Sequence, residues 1–253
     1  GAVDPAAGWG VEGDTFAAMA ALERYGAATW FRLGDRDLAT HLYRTGRLAE
    51  GSSLSTVTSE VARAWGVAVH LVPMSDDPVR TRVVLRDGRD VSFQEYFVHL
   101  HHQAEVAAIR FDGAASARPG PGVLGALEGA RAVVICPSNP FLSIAPVLAV
   151  PGVRQVLEAR RDTIVAVSPI VAGAALKGPA DRLMTELGHD PSVVGVARLY
   201  APLAATLVVD EADAALAPAV EAEGVRCVVT PSIMSSPAVA AGLAAVTLQA
   251  VGA

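Results

Sequence analysis

The chain has 253 residues and is 52% hydrophobic, which suits the core of one large α/β domain or of two small ones. A net charge of −6 and a pI near 5.5 exclude a basic nucleic-acid surface. No signal peptide is readable, and the most apolar tail, Pro237 to Ala253, is broken by Thr247 and Gln249 and too short for a membrane span. A cytoplasmic protein without a membrane partner is therefore expected. Cys136 and Cys227, the two cysteines, lie in separate apolar runs and read as buried free thiols of a reducing compartment.

In chain order, Gly1 to Gly10 reads as loop, and Asp14 as the cap of a first helix that runs to about Tyr25 and ends at Gly26. Next comes WFRLGDRDLATH, Trp30 to His41, where an apolar run stops at Gly34 and three charges precede a helical pattern. Asp37 is placed as an N-cap, with Leu38 opening the helix and Gly46 ending it, which sets Asp37 and His41 one turn apart on one face. Ser53 or Ser55 starts another helix through Val57, Val61 and Trp65, closed by Gly66. Val67 to Pro73 alternates like a strand, Met74 to Thr81 is a polar turn, and Arg80 to Arg86 is a strand. Asp87-Gly88 signals a hairpin, with Val91 to Leu100 pairing back. Residues from about 67 to 112 thus form a small antiparallel insert.

From Val106 onward, apolar strands alternate with helices. Strands are expected at Val106–Phe111, Arg131–Cys136, Thr163–Val167, Thr206–Val209 and Val225–Val229. Helices are expected at Pro121–Ala130, Pro151–Arg160, Pro179–Gly188, Ser192–Tyr200, Glu211–Glu223 and Pro237–Val251. The pattern implies a single α/β domain with a doubly wound, mostly parallel sheet covered on both faces. No linker is long enough to force a domain boundary.

Ligands of such sheets bind beyond the carboxyl ends of the strands. Two of those ends are polar: Pro137, Ser138, Asn139 and Ser143 follow AVVIC, and Ser168 follows TIVAV, with Lys177-Gly178-Pro179 leading to the next helix. Ser and Asn side chains with free N–H groups suit phosphate or ribose oxygens, and the same residues serve ordinary turns. Lys177, the only lysine, fits a phosphate contact or a solvated charge equally well. Arg36, at a helix mouth, suits an anion clamp; the same spacing fits a capped turn with a surface Asp–Arg pair. His99, His101 and His102 read as surface histidines, His99 and His101 sharing one strand face, and Asp76-Asp77 as a turn before Pro78. GxSxG, HExxH, CxxC and Walker motifs are absent.

Several phrases together resemble one family: WGVEGDTF (Trp9–Phe16), WFRLGDRDLATH, LVPMSDDPVRT (Leu71–Thr81), FQEYFV (Phe93–Val98), CPSNPFLSIAPVLAVPGVR (Cys136–Arg154) and VAVSPIVAG with KGPAD (Val165–Asp181). They resemble the 2-phospho-L-lactate transferases of coenzyme F-420 biosynthesis, the CofD/FbiA type, in order through nearly the whole chain. The resemblance implies a Rossmann-like fold and transfer of a phospho-three-carbon-acid group, 2-phospholactate or phosphoenolpyruvate. The donor would be a guanosine diphospho ester, the acceptor the side-chain hydroxyl of the deazaflavin Fo, the leaving group GMP and the cofactor Mg2+. It also implies that Arg36 contacts phosphate or acceptor and that Asp35 and Asp37 orient ribityl hydroxyls or a metal-bound water. His41, Ser138, Asn139, Ser168 and Lys177 would bind substrate, and a homodimer is compatible with it.

Family members begin with a strand and a Gly-Gly-x-Gly-Gly-like loop, followed by aspartate-bearing segments. These are expected upstream of Gly1, so the principal metal ligands are expected there too, and the fragment alone is expected to be inactive or unstable. The alternative reading is a non-catalytic nucleotide- or sugar-nucleotide-binding regulator on the same fold, from which PSNPFLSIAPVLAVPGVR separates this chain; a third is a decayed enzyme that begins at Gly1.

Overall fold

The structure is a computed structural model that describes residues 10–252. The loop read over Gly1 to Trp9 lies outside them. Three helices come first: α1 (Ala17–Arg24), α2 (Asp35–Ala49) and α3 (Leu54–Ala64). The first two cap each other. The Asp35 carboxylate accepts the Ala17 and Ala18 N–H groups, each at 3.0 Å, and the Thr15 hydroxyl at 2.5 Å, while Asp14 accepts the Arg36 N–H at 3.0 Å. Asp14, expected to cap the first helix, caps the second instead. Helix α2 begins two residues before Asp37, with Gly34 as its N-cap, and runs through Gly46 to Ala49. A Cβ on Gly34 would lie 1.9 Å from the Asp14 carboxylate, so this approach requires glycine. Helix α3 starts as read, its Thr56 N–H donating to Ser53 Oγ at 3.2 Å.

Val67–Pro73 is not a strand. Alternation alone supplies no backbone partner, and among the described residues none pairs with it; Val67, Val69 and Leu71 stay exposed. The small antiparallel sheet has the order β2-β1-β3, from β1 (Arg80–Leu85), β2 (Asp90–Ser92) and β3 (Val106–Asp112). The expected return strand stops at Ser92, and Glu95–His99 winds into a π-helical turn. Phe93, Tyr96, Phe97 and Leu100 explain this, because they recur at a helical i, i+3, i+4, i+7 spacing and gather in one apolar cluster. His99 and His101 accordingly share no strand face, and His101 and His102 take left-handed φ of 49° and 45°.

The remainder is α4 (Val123–Gly129), β4 (Val133–Ile135), α5 (Ala145–Leu148), α6 (Val153–Ala159), β5 (Ile164–Val167), β6 (Ile170–Val171), β7 (Ala174–Ala175), α7 (Ala180–Glu186), α8 (Val193–Tyr200), β8 (Thr206–Val209), α9 (Ala217–Ala222), β9 (Arg226–Val229) and α10 (Pro237–Gln249). A parallel sheet of order β4-β5-β8-β9 runs through it, with Val165 opposite Thr206 and Thr206 opposite Arg226. Its two central strands are buried at every position, as near-continuous apolar runs demand. Ile164, Ala166, Leu207 and Val209 join the main core with α6 and α8, and Val165, Val167 and Val208 face Leu243 of α10. This is the doubly wound α/β architecture read from the sequence.

Two local expectations change. The helix expected over Glu211–Glu223 is a 3₁₀ segment, Glu211–Leu216, followed by α9 with Pro218 in its first turn. The PSNPFLSI loop is a π-helical turn, Pro140–Ile144, running into α5. Nor is either cysteine fully buried: Cys136 is exposed at the end of β4 and Cys227 is half-buried.

Candidate active site

A cavity of about 600 Å³ opens beyond the carboxyl ends of the parallel strands. Ser138 and Asn139 reach it from the end of β4, Ser168 from β5, and Ser232, Ile233 and Met234 from β9. Phe93 and Phe97 close another side, and Lys177 stands exposed at the segment leading into α7. The wall is mostly apolar with a few convergent polar groups, the usual build of a small-molecule site.

Two of the polar groups have a local cause for their position. Asn139 caps the π-helical turn, its Oδ1 accepting the Phe141 and Leu142 N–H groups at 3.0 and 3.1 Å. That use fixes the amide orientation and leaves Nδ2 buried without a hydrogen-bond partner among the described residues. Ser168 is 3% exposed; its hydroxyl donates to Ile170 O at 2.9 Å and accepts the Ile170 N–H at 3.1 Å. It therefore shapes the turn after β5 more than it offers a free hydroxyl.

The aromatic side is ordered by stacking. Phe93 and Phe97 lie 5.4 Å apart between ring centroids with planes at 30°, and the His102 ring lies 5.1 Å from Phe97. The Phe97 ring comes to 3.7 Å of where a Cβ on Gly178 would stand. Burial, with the nearby Arg182 charge adding to it, lowers the His102 imidazole pKa from its ordinary value and favours the neutral ring.

Beneath the cavity lies Asp210, which is 8% exposed. Burial pushes its carboxyl up, but hydrogen bonds from the Ser232 and Ala212 N–H groups and the Ser232 hydroxyl outweigh it and hold it below the ordinary range.

Ser138, Asn139, Ser168 and Lys177 are thus brought together on one cavity. Asp35, Arg36, Asp37 and His41 are not on its wall. The mouth of α2 already holds an anion, the Asp14 carboxylate, and Arg36 Nη1 donates to the Glu12 carbonyl at 2.8 Å. His41 Nδ1 lies 2.7 Å from Arg44 Nη2. The Asp35 carboxyl is held low by the Thr15 hydroxyl and by the Ala18 and Ala17 N–H groups. The Trp30 ring, before α2, lies 5.2 Å from His99 on the turn that carries Phe97. In the sequence, Phe93 and Phe97 carry the family resemblance within FQEYFV but no site role, and Ser232 and Asp210 are not marked as site residues. Asp210 carried a signal, an acid directly after an apolar strand, but the following Glu-Ala-Asp read as a helix start.

Among the described residues no three His, Cys, Asp or Glu side chains gather as a metal site, and no carboxylate lines the cavity. These residues do not fit a magnesium site, which takes oxygen ligands, carboxylates first among them. Among the described residues no single helix is long and apolar enough to cross a membrane.

A parallel sheet with a cavity beyond its carboxyl ends, walled by Asn, Ser, Lys and stacked aromatics, defines a Rossmann-like α/β protein with a cavity of small-molecule size. The chain belongs to the 2-phospho-L-lactate transferase CofD family, whose model matches residues 10–232. It is 42% identical over 240 residues to a phosphoenolpyruvate transferase of Kitasatospora aureofaciens, covering 93% of this chain and 75% of that protein. With a phosphoenolpyruvate transferase of Streptomyces griseus it shares 39% over 254 residues, covering 98% and 80%. Two crystal structures of a Bacillus halodurans protein of the UPF0052 family superpose with TM-scores of 0.56 and 0.51, each at 15% identity. They cover 81% and 75% of this chain, and 70% and 64% of theirs, and show the fold alone. The chain is an enzyme of the phosphotransferase kind, in coenzyme F-420 biosynthesis.

Proposed function

We propose that this enzyme transfers the phosphoenolpyruvyl group from a guanosine diphospho donor to the deazaflavin Fo and releases GMP, with 2-phospholactate as the alternative group. The observation that carries the acceptor assignment is the stacked Phe93–Phe97 pair on an apolar cavity. A flat fused ring gains both apolar burial and offset stacking there. Support for enolpyruvate over lactate comes from the relatives named phosphoenolpyruvate transferase at 39–42% identity.

In this reading the acceptor's side-chain hydroxyl oxygen attacks the donor phosphorus that carries the acid. The bond from that phosphorus to the bridging oxygen breaks, GMP leaves with the bridging oxygen, and the hydroxyl proton goes to solvent. Little covalent chemistry falls to the protein; it holds the partners in line and neutralises charge. Asn139 Nδ2 donates to a ligand oxygen, and Lys177 meets the diphosphate at the mouth. Arg36 is given no phosphate contact, since its guanidinium serves the Glu12 carbonyl. No step is routed through magnesium, for which the described residues supply no ligand set.

The test incubates the protein with Fo and, in turn, each guanylylated three-carbon acid, with and without magnesium, following GMP release and deazaflavin mass. A product heavier by the phosphoenolpyruvyl group is expected. A product carrying phospholactate instead would correct the donor. Tight guanine-nucleotide binding without any product would overturn the transferase reading in favour of a binding regulator.

A further inference from the structure

Two walls of the cavity are held from behind by one short segment. The 3₁₀ segment after β8 carries Asp210 at its cap and Asp213 one turn on, and both are buried, at 8% and 4% exposure. Asp210 Oδ2 accepts the Ser232 N–H at 2.7 Å and the Ser232 hydroxyl at 3.0 Å, while Oδ1 accepts the Ala212 N–H at 3.1 Å. Ser232, Ile233 and Met234 form the wall that follows β9. Asp213 Oδ2 reaches the other way and accepts the Ala172 N–H at 2.9 Å. Ala172 sits at the tip of the β6–β7 hairpin, whose Val171 lines the cavity.

That tip is strained. Val171 pairs with Ala174 across a two-residue turn, and Ala172 and Gly173 both take positive φ, 50° and 78°. Such a turn suits Asn or Gly at its first central position; alanine there costs on the order of 1 kcal/mol. A strained residue persists where its surroundings over-determine it, and the hydrogen bond that the Ala172 N–H donates to Asp213 is what does so here.

We propose that Asp210 and Asp213 are positioning residues of this enzyme: a two-carboxylate bracket, behind the cavity and out of reach of substrate, that fixes the β6–β7 hairpin and the loop after β9 at the spacing a flat acceptor ring requires. This rests on the cavity being the acceptor site. The two residues differ in one testable way. Asp210 uses both oxygens as acceptors of N–H and O–H groups, so Asp210→Asn turns an amide donor onto a donor. Asp213 uses one oxygen, so Asp213→Asn can keep its bond and Asp213→Ala cannot.

The experiment reads two things on the full chain. In steady-state transfer, Asp210→Asn and Asp213→Ala are expected to raise the KM for Fo roughly tenfold or more, the scale of a lost charge-assisted hydrogen bond, with kcat within about threefold. Asp213→Asn stays close to the parent. Adding Ala172→Gly to Asp213→Ala recovers most of the loss, because glycine holds the turn without help. In hydrogen exchange, Asp210→Asn deprotects a peptide spanning 230–236 and Asp213→Ala one spanning 168–176, while β5 and α8 keep parental protection. An unchanged KM with unchanged exchange, a loss of protection spread equally over β5 and α8, or failure of Ala172→Gly to rescue overturns the bracket. Should Asp210→Asn not fold, the Asp213→Ala and Ala172→Gly pair decides. If the parent protein transfers nothing to Fo, the proposed function fails, and the exchange pattern alone still supports or overturns the bracket.

Discussion

The three N-terminal helices and the parallel sheet are built by different means. In β5 and β8 every residue is buried. In α2, a helix of 15 residues, none is, and Leu42 is 64% exposed. What holds α1 to α2 is the exchange of caps between Asp14 and Asp35, and what holds α2 to α3 is Arg47 against Glu60 at 2.9 Å with the Tyr43 hydroxyl on the same carboxylate at 2.9 Å. Exposed caps and ion pairs are individually weak, whereas apolar burial is large and additive over area. The sheet thus frames the cavity, and the helices, which bury only Met19, Val57 and Ala62, are expected to open at lower free energy.

The largest difference is expected from a matched pair of leucines. Leu207→Ala, at 1% exposure in the main core, should cost about 2–5 kcal/mol in denaturant unfolding, while Leu42→Ala should stay within about 0.5 kcal/mol. Equal costs would break the contrast. Next comes Asn139→Ala, which removes a cap and the unpartnered donor together. It should lower kcat/KM for transfer by roughly tenfold or more, with about 1 kcal/mol of stability lost.

A pH titration sharpens the comparison further. Asp35 is held below its ordinary range chiefly by the Thr15 hydroxyl, so its caps add stability above the unfolded carboxyl pKa of about 3.9. That contribution goes as pH falls through the lower folded value. Amide protection factors in Ala17–Arg24, which correct for the slower intrinsic exchange at low pH, should fall on acidification through that window in the parent, and be low already at pH 6 in Asp35→Asn. Unaltered exchange at pH 6 in that variant would refute the mutual caps. The smallest effect is expected from Arg36→Ala, whose guanidinium is exposed and off the cavity wall. Transfer should fall less than about threefold, and a hundredfold loss would return Arg36 to the substrate site.

The order of strands and helices from Val106 onward was legible in the sequence, because buried parallel strands are continuous apolar runs and the helices between them are marked by caps and periodicity. So was the family, carried by phrases such as PSNPFLSIAPVLAVPGVR, and so were the two polar strand ends that put Ser138, Asn139, Ser168 and Lys177 on one cavity. Only the tertiary structure decided which groups those residues leave free. Asn139 spends its carbonyl on a cap, Ser168 spends its hydroxyl on a turn, and Asp14 and Asp35 exchange helices across about twenty residues of sequence. It also decided that Val67–Pro73 has no ladder and that Phe93 and Phe97 stack on a helical turn. The physical reason is common to all of these. Periodicity and propensity act over a few neighbouring residues, whereas a hydrogen-bond partner is chosen by whatever the fold brings within about 3 Å.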